Sequence, residues 1–213
     1  MALRRTDAVP HSDGGDTGVM SVAGIVLYAV AYALLVGFFV IERFVRVRET
    51  RDMSRESTDR SSTTFVSIAM GTAFVLIPLT PLFNWLGVGS WDCWPAGVVG
   101  AVAGVGGLVI RYHAFRTLGR FFTRTLRETD EHELVTWGIY RHVRHPGYLS
   151  DILIFWGAAL AMENFATLIV VVVLFVPAYL YRIHVEEGML TDIFGQRYRD
   201  YQASSKRLVP RVW

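Results

Sequence analysis

Residues 20–41 read MSVAGIVLYAVAYALLVGFFVI, 22 consecutive positions without a charged side chain. At 1.5 Å per residue, a helix of that length reaches about 33 Å, enough to cross the hydrocarbon core of a bilayer. Only closed backbone hydrogen bonding survives in lipid, so the run is read as a helix and the chain as an all-α integral membrane protein. Composition agrees. Of the 213 residues, 52% are hydrophobic and 19% charged, where a soluble domain carries about 25% charge. Mean hydropathy is +0.34. A net charge of only +2 argues against a nucleic-acid partner. The single Cys93 excludes an intrachain disulfide and a cysteine metal cluster, and no metal is expected.

Upstream, residues 1–18 are polar and contain Pro and Gly, which suits a flexible leader. No small-residue cleavage site follows the first apolar run, so the leader does not read as a signal peptide. Residues 19–213 are expected to form one transmembrane domain. After the first span comes a polar stretch, residues 42–64, with six arginines and five acids. A second span covers residues 65–88, where Pro78 and Pro81 predict a kink or a break. Trp85, Trp91 and Trp94 flank the next turn as an interfacial aromatic belt.

The third span, residues 95–110, is rich in glycine. Gly100 and Gly104 are four apart, as in helix-packing faces within lipid. A dinucleotide-binding loop is excluded, since no strand precedes these glycines and no acidic residue follows at the required distance. A polar, arginine-dense segment spans residues 111–145. Two apolar stretches follow, residues 148–162 and 165–181, separated only by Glu163 and Asn164. They predict a tight helical hairpin whose first arm is short, about 22 Å. The total is about five transmembrane helices. Arginines cluster after spans one and three and are missing from the turn after span two. The positive-inside rule then places both arginine-rich segments and the C-terminal tail in the cytoplasm.

Unusual polar residues gather at that boundary in two clusters. The first runs His132-Glu133-Leu134-Val135-Thr136-Trp137-Gly138-Ile139-Tyr140, followed by Arg144-His145-Pro146-Gly147-Tyr148. Pro146 suits the first position of a helix, which puts His145 just ahead of an N-terminus whose free N–H groups favour anions. Capping of a membrane helix by headgroup-facing residues is the plain alternative. The second cluster contains Arg182 and Glu186, four apart on one helical face, with Tyr179 and Phe175 continuing the stripe inward. Glu187 points about 100° away. Ionisable residues at the end of an apolar helix mark a functional site, unless they form an i,i+4 pair that merely ends it. Leu190, Ile193, Phe194, Tyr198 and Tyr201 then recur at helical spacing around Gly195, as a C-terminal amphipathic helix lying on the membrane or closing over the site.

Taken in order, His132-Glu-Leu-Val, Gly138-Ile-Tyr140, Arg144-His-Pro-Gly-Tyr148, Arg182-x3-Glu186-Glu187 and Phe194-Gly195-x2-Tyr198-x2-Tyr201 resemble the isoprenylcysteine carboxyl methyltransferase family. The related phospholipid N-methyltransferases share this C-terminal design. The resemblance is close over residues 110–210. It implies an S-adenosyl-L-methionine cofactor held by a cytoplasmic loop within about residues 111–213, in a pocket lined by His132, Glu133, Leu134, Val135, Tyr140, His145, Pro146, Gly147 and Tyr148. It further implies that Glu186 contacts the cofactor and that Arg182 holds the carboxylate of a lipophilic acceptor arriving from the bilayer. Thr125 stands where the animal enzymes carry glutamine, seven residues before the motif histidine.

The residue chemistry fits that expectation. A carboxylate acceptor is already ionised at neutral pH and needs a cation to hold it, which the planar fork of Arg182 supplies. An amine acceptor, as in a phospholipid N-methyltransferase, needs a base, for which Glu186, Glu187 and His184 are candidates. A nicotinamide-dependent membrane reductase and a non-catalytic membrane scaffold are the remaining alternatives. The chain is short for the first, and the clustering of polar residues at one boundary speaks against the second.

Overall fold

The computed structural model describes residues 21–49, 60–118 and 134–209. The leader 1–18, His132, Glu133 and Thr125 lie outside the described residues. Among the described residues, six α-helices make up the architecture: α1 Val22–Glu49, α2 Arg60–Trp85, α3 Trp94–Leu118, α4 Pro146–Ala161, α5 Phe165–Phe194 and α6 Gln196–Ser204. Four of them carry segments long and apolar enough to cross a membrane, Val22–Arg43, Ser61–Trp85, Trp94–Leu118 and Phe165–Phe194. The expected five spans therefore become four long helices and the shorter α4.

The reason α4 can be short is that protein surrounds it. It packs against α1, α3 and α5, and Ile154, Phe155, Ala158, Ala159 and Ala161 on it are fully buried. A helix shielded by its neighbours does not have to match the thickness of the lipid. The outward faces of the other helices carry Val36, Phe39, Val75, Val99, Val102 and Val173, all exposed, as lipid-facing side chains should be.

Glycines set the closest approach. A Cβ on Gly100 would meet the Gly157 carbonyl oxygen at 2.7 Å, and one on Gly107 the Ser150 carbonyl oxygen at 2.9 Å. Gly97 and Gly104 also face Leu27 and Leu34 of α1. The Gly100–Gly104 face expected of the third span is present, both glycines meeting Gly157 of α4, and Gly97 and Gly104 add a contact with α1. Without a hydrophobic driving force between helices in lipid, such backbone proximity supplies the packing energy. A Gly157→Ala change would press a methyl to 2.7 Å from the Gly104 backbone nitrogen. It is expected to cost about 1–3 kcal/mol, as overpacking does, read as a lower thermal midpoint in detergent. An unchanged midpoint would show that α3 and α4 can separate without penalty.

Two expectations need correction. Of the kink or break expected in the second span, the break is absent, since helix α2 continues through Pro78 and Pro81. Each proline removes one hydrogen bond from its helix, but packing of α2 along α5 holds the helix together. The third span does not end at residue 110. Helix α3 continues to Leu118, and Arg111, read as the start of a polar segment, is buried.

The predicted hairpin of α4 and α5 is present. Asn164 caps α5 by accepting from the Thr167 N–H at 2.8 Å, and its Nδ2 donates to the Val88 carbonyl at 2.7 Å and to Asn84 Oδ1 at 2.6 Å. Asn84 in turn donates to the Met162 carbonyl at 2.9 Å. The α2–α3 loop and the α4–α5 turn are therefore tied together at one end of the bundle. The ionisable clusters converge at the other end, as odd and even spans require.

Candidate functional site

The N-terminus of α4 organises the site. Residues 134–137 approach it without regular structure, Leu134 half-buried and Val135 buried. A 3-10 turn, Gly138–Arg141, follows. Gly138 has φ of 61°, a left-handed conformation that favours glycine, and a Cβ there would press on Thr117 at 2.8 Å. The 3-10 turn is thereby seated on the last turn of α3. His145 occupies the N-cap of α4 and Pro146 its first turn, as the sequence predicts.

The C-terminal segment closes over this region. Gly195, with φ of 56°, separates α5 from α6. Tyr198 and Tyr201 of α6 are buried, and the Tyr201 hydroxyl donates to the Tyr140 carbonyl at 2.6 Å. Burial pushes that phenol up to about 12, so it keeps the proton that makes the bond. Burial and the Glu186 carboxylate also raise the Tyr140 phenol. Beyond α6, the chain pairs with the approach to α4: Arg144 N–H donates to the Lys206 carbonyl at 2.7 Å and His145 N–H to that of Arg207 at 3.1 Å. The amphipathic segment thus folds back onto the approach to α4.

Two carboxylates on adjacent residues serve different partners. Glu186 accepts the Tyr148 hydroxyl, and Tyr148 accepts from Arg182 Nε at 3.0 Å. Arg182 Nε lies 4.0 Å from Glu186 Oε2, so the i,i+4 pair is bridged by the phenol as well. Arg182 Nη1 also donates to the hydroxyls of Ser62 at 2.9 Å and Thr63 at 3.0 Å, which fixes it against the start of α2. The imidazole of His145 stacks on Tyr148, centroids 5.5 Å apart and planes 14° from parallel. Gly147 borders open space among the described residues, with nothing within 4 Å of a Cβ built on it.

Glu187, one residue on, is 4% exposed. Its Oε1 accepts from Arg144 Nε at 2.8 Å and lies 3.3 Å from His145 Nε2, and its Oε2 accepts from Arg207 Nε at 2.9 Å. Arg144 Nη1 adds a bond to the Ser205 carbonyl at 2.6 Å. This carboxylate therefore joins α5, the start of α4 and the C-terminal segment.

The structure brings Tyr140, His145, Pro146, Gly147, Tyr148, Arg182 and Glu186 to one end of the bundle, with Leu134 and Val135 leading into it. His132 and Glu133 lie outside the described residues. Sequence reasoning gave Glu187 only as one of three candidate bases and not as a structural carboxylate, though it read its direction as away from Arg182 and Glu186. It also passed over Arg111, which contacts Asp151 of α4 and reaches Glu42 of α1 at 2.5 Å, all three buried. A signal for Asp151 was present, an acid inside an otherwise apolar helix.

This arrangement has relatives. The phospholipid methyltransferase family model matches residues 96–197. Protein-S-isoprenylcysteine O-methyltransferase A of Arabidopsis thaliana is 30% identical over 159 residues, covering 71% of this chain and 81% of that protein. A probable protein-S-isoprenylcysteine O-methyltransferase of Oryza sativa subsp. indica is 34% identical over 112 residues, 52% of this chain. The chain matches only 59% of the rice protein's length. The solved structure of the eukaryotic intramembrane Ras methyltransferase, an isoprenylcysteine carboxyl methyltransferase, shares the fold, with a TM-score of 0.64, 23% identity, and coverage of 91% of this chain and 70% of that one. On these grounds the chain is a multi-pass membrane protein that belongs to the isoprenylcysteine carboxyl methyltransferase family.

Proposed function

We propose that the chain is an S-adenosyl-L-methionine-dependent methyltransferase that O-methylates the carboxylate of a prenylcysteine-like or other lipid-like acceptor at the membrane–cytoplasm boundary. One observation carries the reading: Tyr148 joins Arg182 and Glu186 directly, so an anion-holding group and a cation-holding group stand side by side. The cofactor supplies an electrophilic methyl on a cationic sulfonium. Glu186, the His145 and Tyr148 rings and the open space beside Gly147 suit a compact cation with an aromatic moiety. The Tyr198 hydroxyl, buried without a hydrogen-bond partner among the described residues, is a further polar atom able to meet a ligand. Leu134, Val135, Tyr140 and Pro146 would complete the cofactor wall, with His132 and Glu133 contributed by the preceding loop.

Arg182 would hold the acceptor carboxylate by its charge, and its bonds to Tyr148, Ser62 and Thr63 set the direction of the guanidinium. No proton has to leave, because the carboxylate is ionised at neutral pH. The protein's work is orientation and charge placement. N-methylation of a phospholipid amine is the second reading. It is favoured by the phospholipid methyltransferase match, with Glu186 as the available base.

S-adenosylhomocysteine at a hundredfold excess over its Kd is expected to add about 2.7 kcal/mol of stability in detergent, and a nicotinamide nucleotide nothing. No rise in thermal midpoint with S-adenosylhomocysteine would reject the cofactor. Labelled methyl transferred to prenylcysteine analogues is expected to be released by base, as an ester is. Base-stable label on a phospholipid would select the amine reading. The cytoplasmic placement rests on the arginine distribution. In a background lacking the exposed Cys93, a cysteine near Gly89 is expected to react only from outside, and one at residue 64 only from inside.

A further inference from the structure

Beneath Tyr148 lies a set of polar side chains that the proposed chemistry does not use. Asp151 is one turn further along α4, and its Oδ2 accepts the Tyr179 hydroxyl at 2.9 Å. Its Oδ1 is bound by Arg111, which also donates to Ser150 Oγ at 3.3 Å and to Glu42 Oε2 at 2.5 Å. The Arg111 guanidinium sits 4.3 Å from the Phe38 ring centroid and 4.7 Å from that of Phe115. Arg111 is 4% exposed, Asp151 7% and Tyr179 1%. Charges taken this far from water are costly, and an apolar replacement of such a set is often at least as stable. Stability alone therefore does not account for it.

Its geometry does. Tyr179 packs against two rings, those of Phe175 and Tyr148, each with its centroid 5.4 Å away. Its hydroxyl is held from below, so the plane it offers to Tyr148 is fixed by a carboxylate that is itself fixed by a guanidinium on another helix. Tyr148 has His145 stacked on it as well, and its hydroxyl joins Arg182 to Glu186. A planar fork is selective in direction, so a small rotation of Tyr148 would misdirect Arg182.

We infer that Arg111, Asp151 and Tyr179 are positioning residues, a buried polar support that sets the orientation of Tyr148 and through it the alignment of Arg182 with Glu186. The inference rests on the methyltransferase reading for its kinetic consequence and not for its structural one.

The experiment pairs two substitutions. Tyr179→Phe keeps the ring and deletes the hydroxyl that donates to Asp151. Asp151→Asn keeps an oxygen for Arg111 and turns an amide N–H to the Tyr179 oxygen, so the contact survives with its direction reversed. Each is made in the full chain in detergent, once unlabelled and once with 3-fluorotyrosine at position 148. Tyr179→Phe is expected to shift or broaden the fluorine resonance and to lower kcat by about tenfold, with cofactor affinity within about twofold of the parent. Asp151→Asn is expected to keep the parent resonance and the larger part of kcat. A resonance unmoved by Tyr179→Phe would overturn the inference. So would kcat losses that follow the loss of thermal midpoint equally in both variants, which is what a merely structural role produces. If the parent chain transfers methyl to no acceptor, the functional reading falls, and the resonance alone still decides whether Tyr179 positions Tyr148.

Discussion

An Arg182→Ala variant is expected to lose methyl transfer by about a hundredfold or more while cofactor affinity stays nearly intact. The side chain spans Tyr148 and the hydroxyls of Ser62 and Thr63, so it is fixed in direction before any acceptor arrives. Removing it leaves the acceptor bound by its lipid part alone. A displacement of about 1 Å at the reacting atoms is enough to cost a hundredfold. Arg182→Lys is expected to recover little, because an ammonium is a point charge and cannot reproduce the direction of the planar guanidinium. Glu186→Gln provides the contrast. Glutamine still accepts the Tyr148 hydroxyl but carries no charge, so the variant is expected to weaken binding of a cationic cofactor by about tenfold or more, as loss of a charged partner does. Calorimetry with S-adenosyl-L-methionine and single-turnover transfer separate the two. Full activity in Arg182→Ala, or parent affinity in Glu186→Gln, would reverse the division of roles along α5.

Glu187→Ala is expected to have the largest effect on stability. The carboxylate and Arg144 are both buried, with side chains 5% and 8% exposed. Deleting the acid strands a guanidinium and the His145 imidazole away from water. Breaking a buried pair from one side costs about 3–5 kcal/mol. The loss would spread to the C-terminal segment, since Arg207 also binds Glu187 and Arg144 binds the Ser205 carbonyl. Trypsin is therefore expected to cut at Lys206 and Arg207 in the variant faster than in the parent. Arg207→Ala should cost little by comparison, because its side chain is 39% exposed and the Glu187 carboxylate keeps Arg144 and His145 as partners. A Glu187→Ala protein with the parent's thermal midpoint and intact tail would show that this carboxylate does not hold the segment closed.

Much of this was legible in the sequence, and some was not. The hairpin of α4 and α5 followed from two apolar runs separated by a polar pair, and Asn164 proves to be the cap that makes the turn. The pairing of Arg182 with Glu186 followed from the helical period. Arg111 was misjudged, because a charge adjoining an apolar run reads as the end of a span. In the fold it lies against Phe38 and Phe115 with acids from two other helices, which removes the need for water. The break that the two prolines of α2 could have made is absent for a related reason, since local backbone rules do not include packing along α5.

By itself the sequence determined the membrane class, the hairpin and the helical face that joins Phe175, Tyr179, Arg182 and Glu186. Those depend on run length and on a period of 3.6 residues, which are local quantities. Only the tertiary structure decided that Glu187 would be the buried carboxylate and that Asp151 would stand under Tyr148 and Tyr179. The partners of Glu187 are 43 and 20 residues away, and Arg111 is 40 residues from Asp151. Which charges meet across helices is set by how closely those helices approach, here by the glycines between α3 and α4, and no periodicity within one helix contains that information.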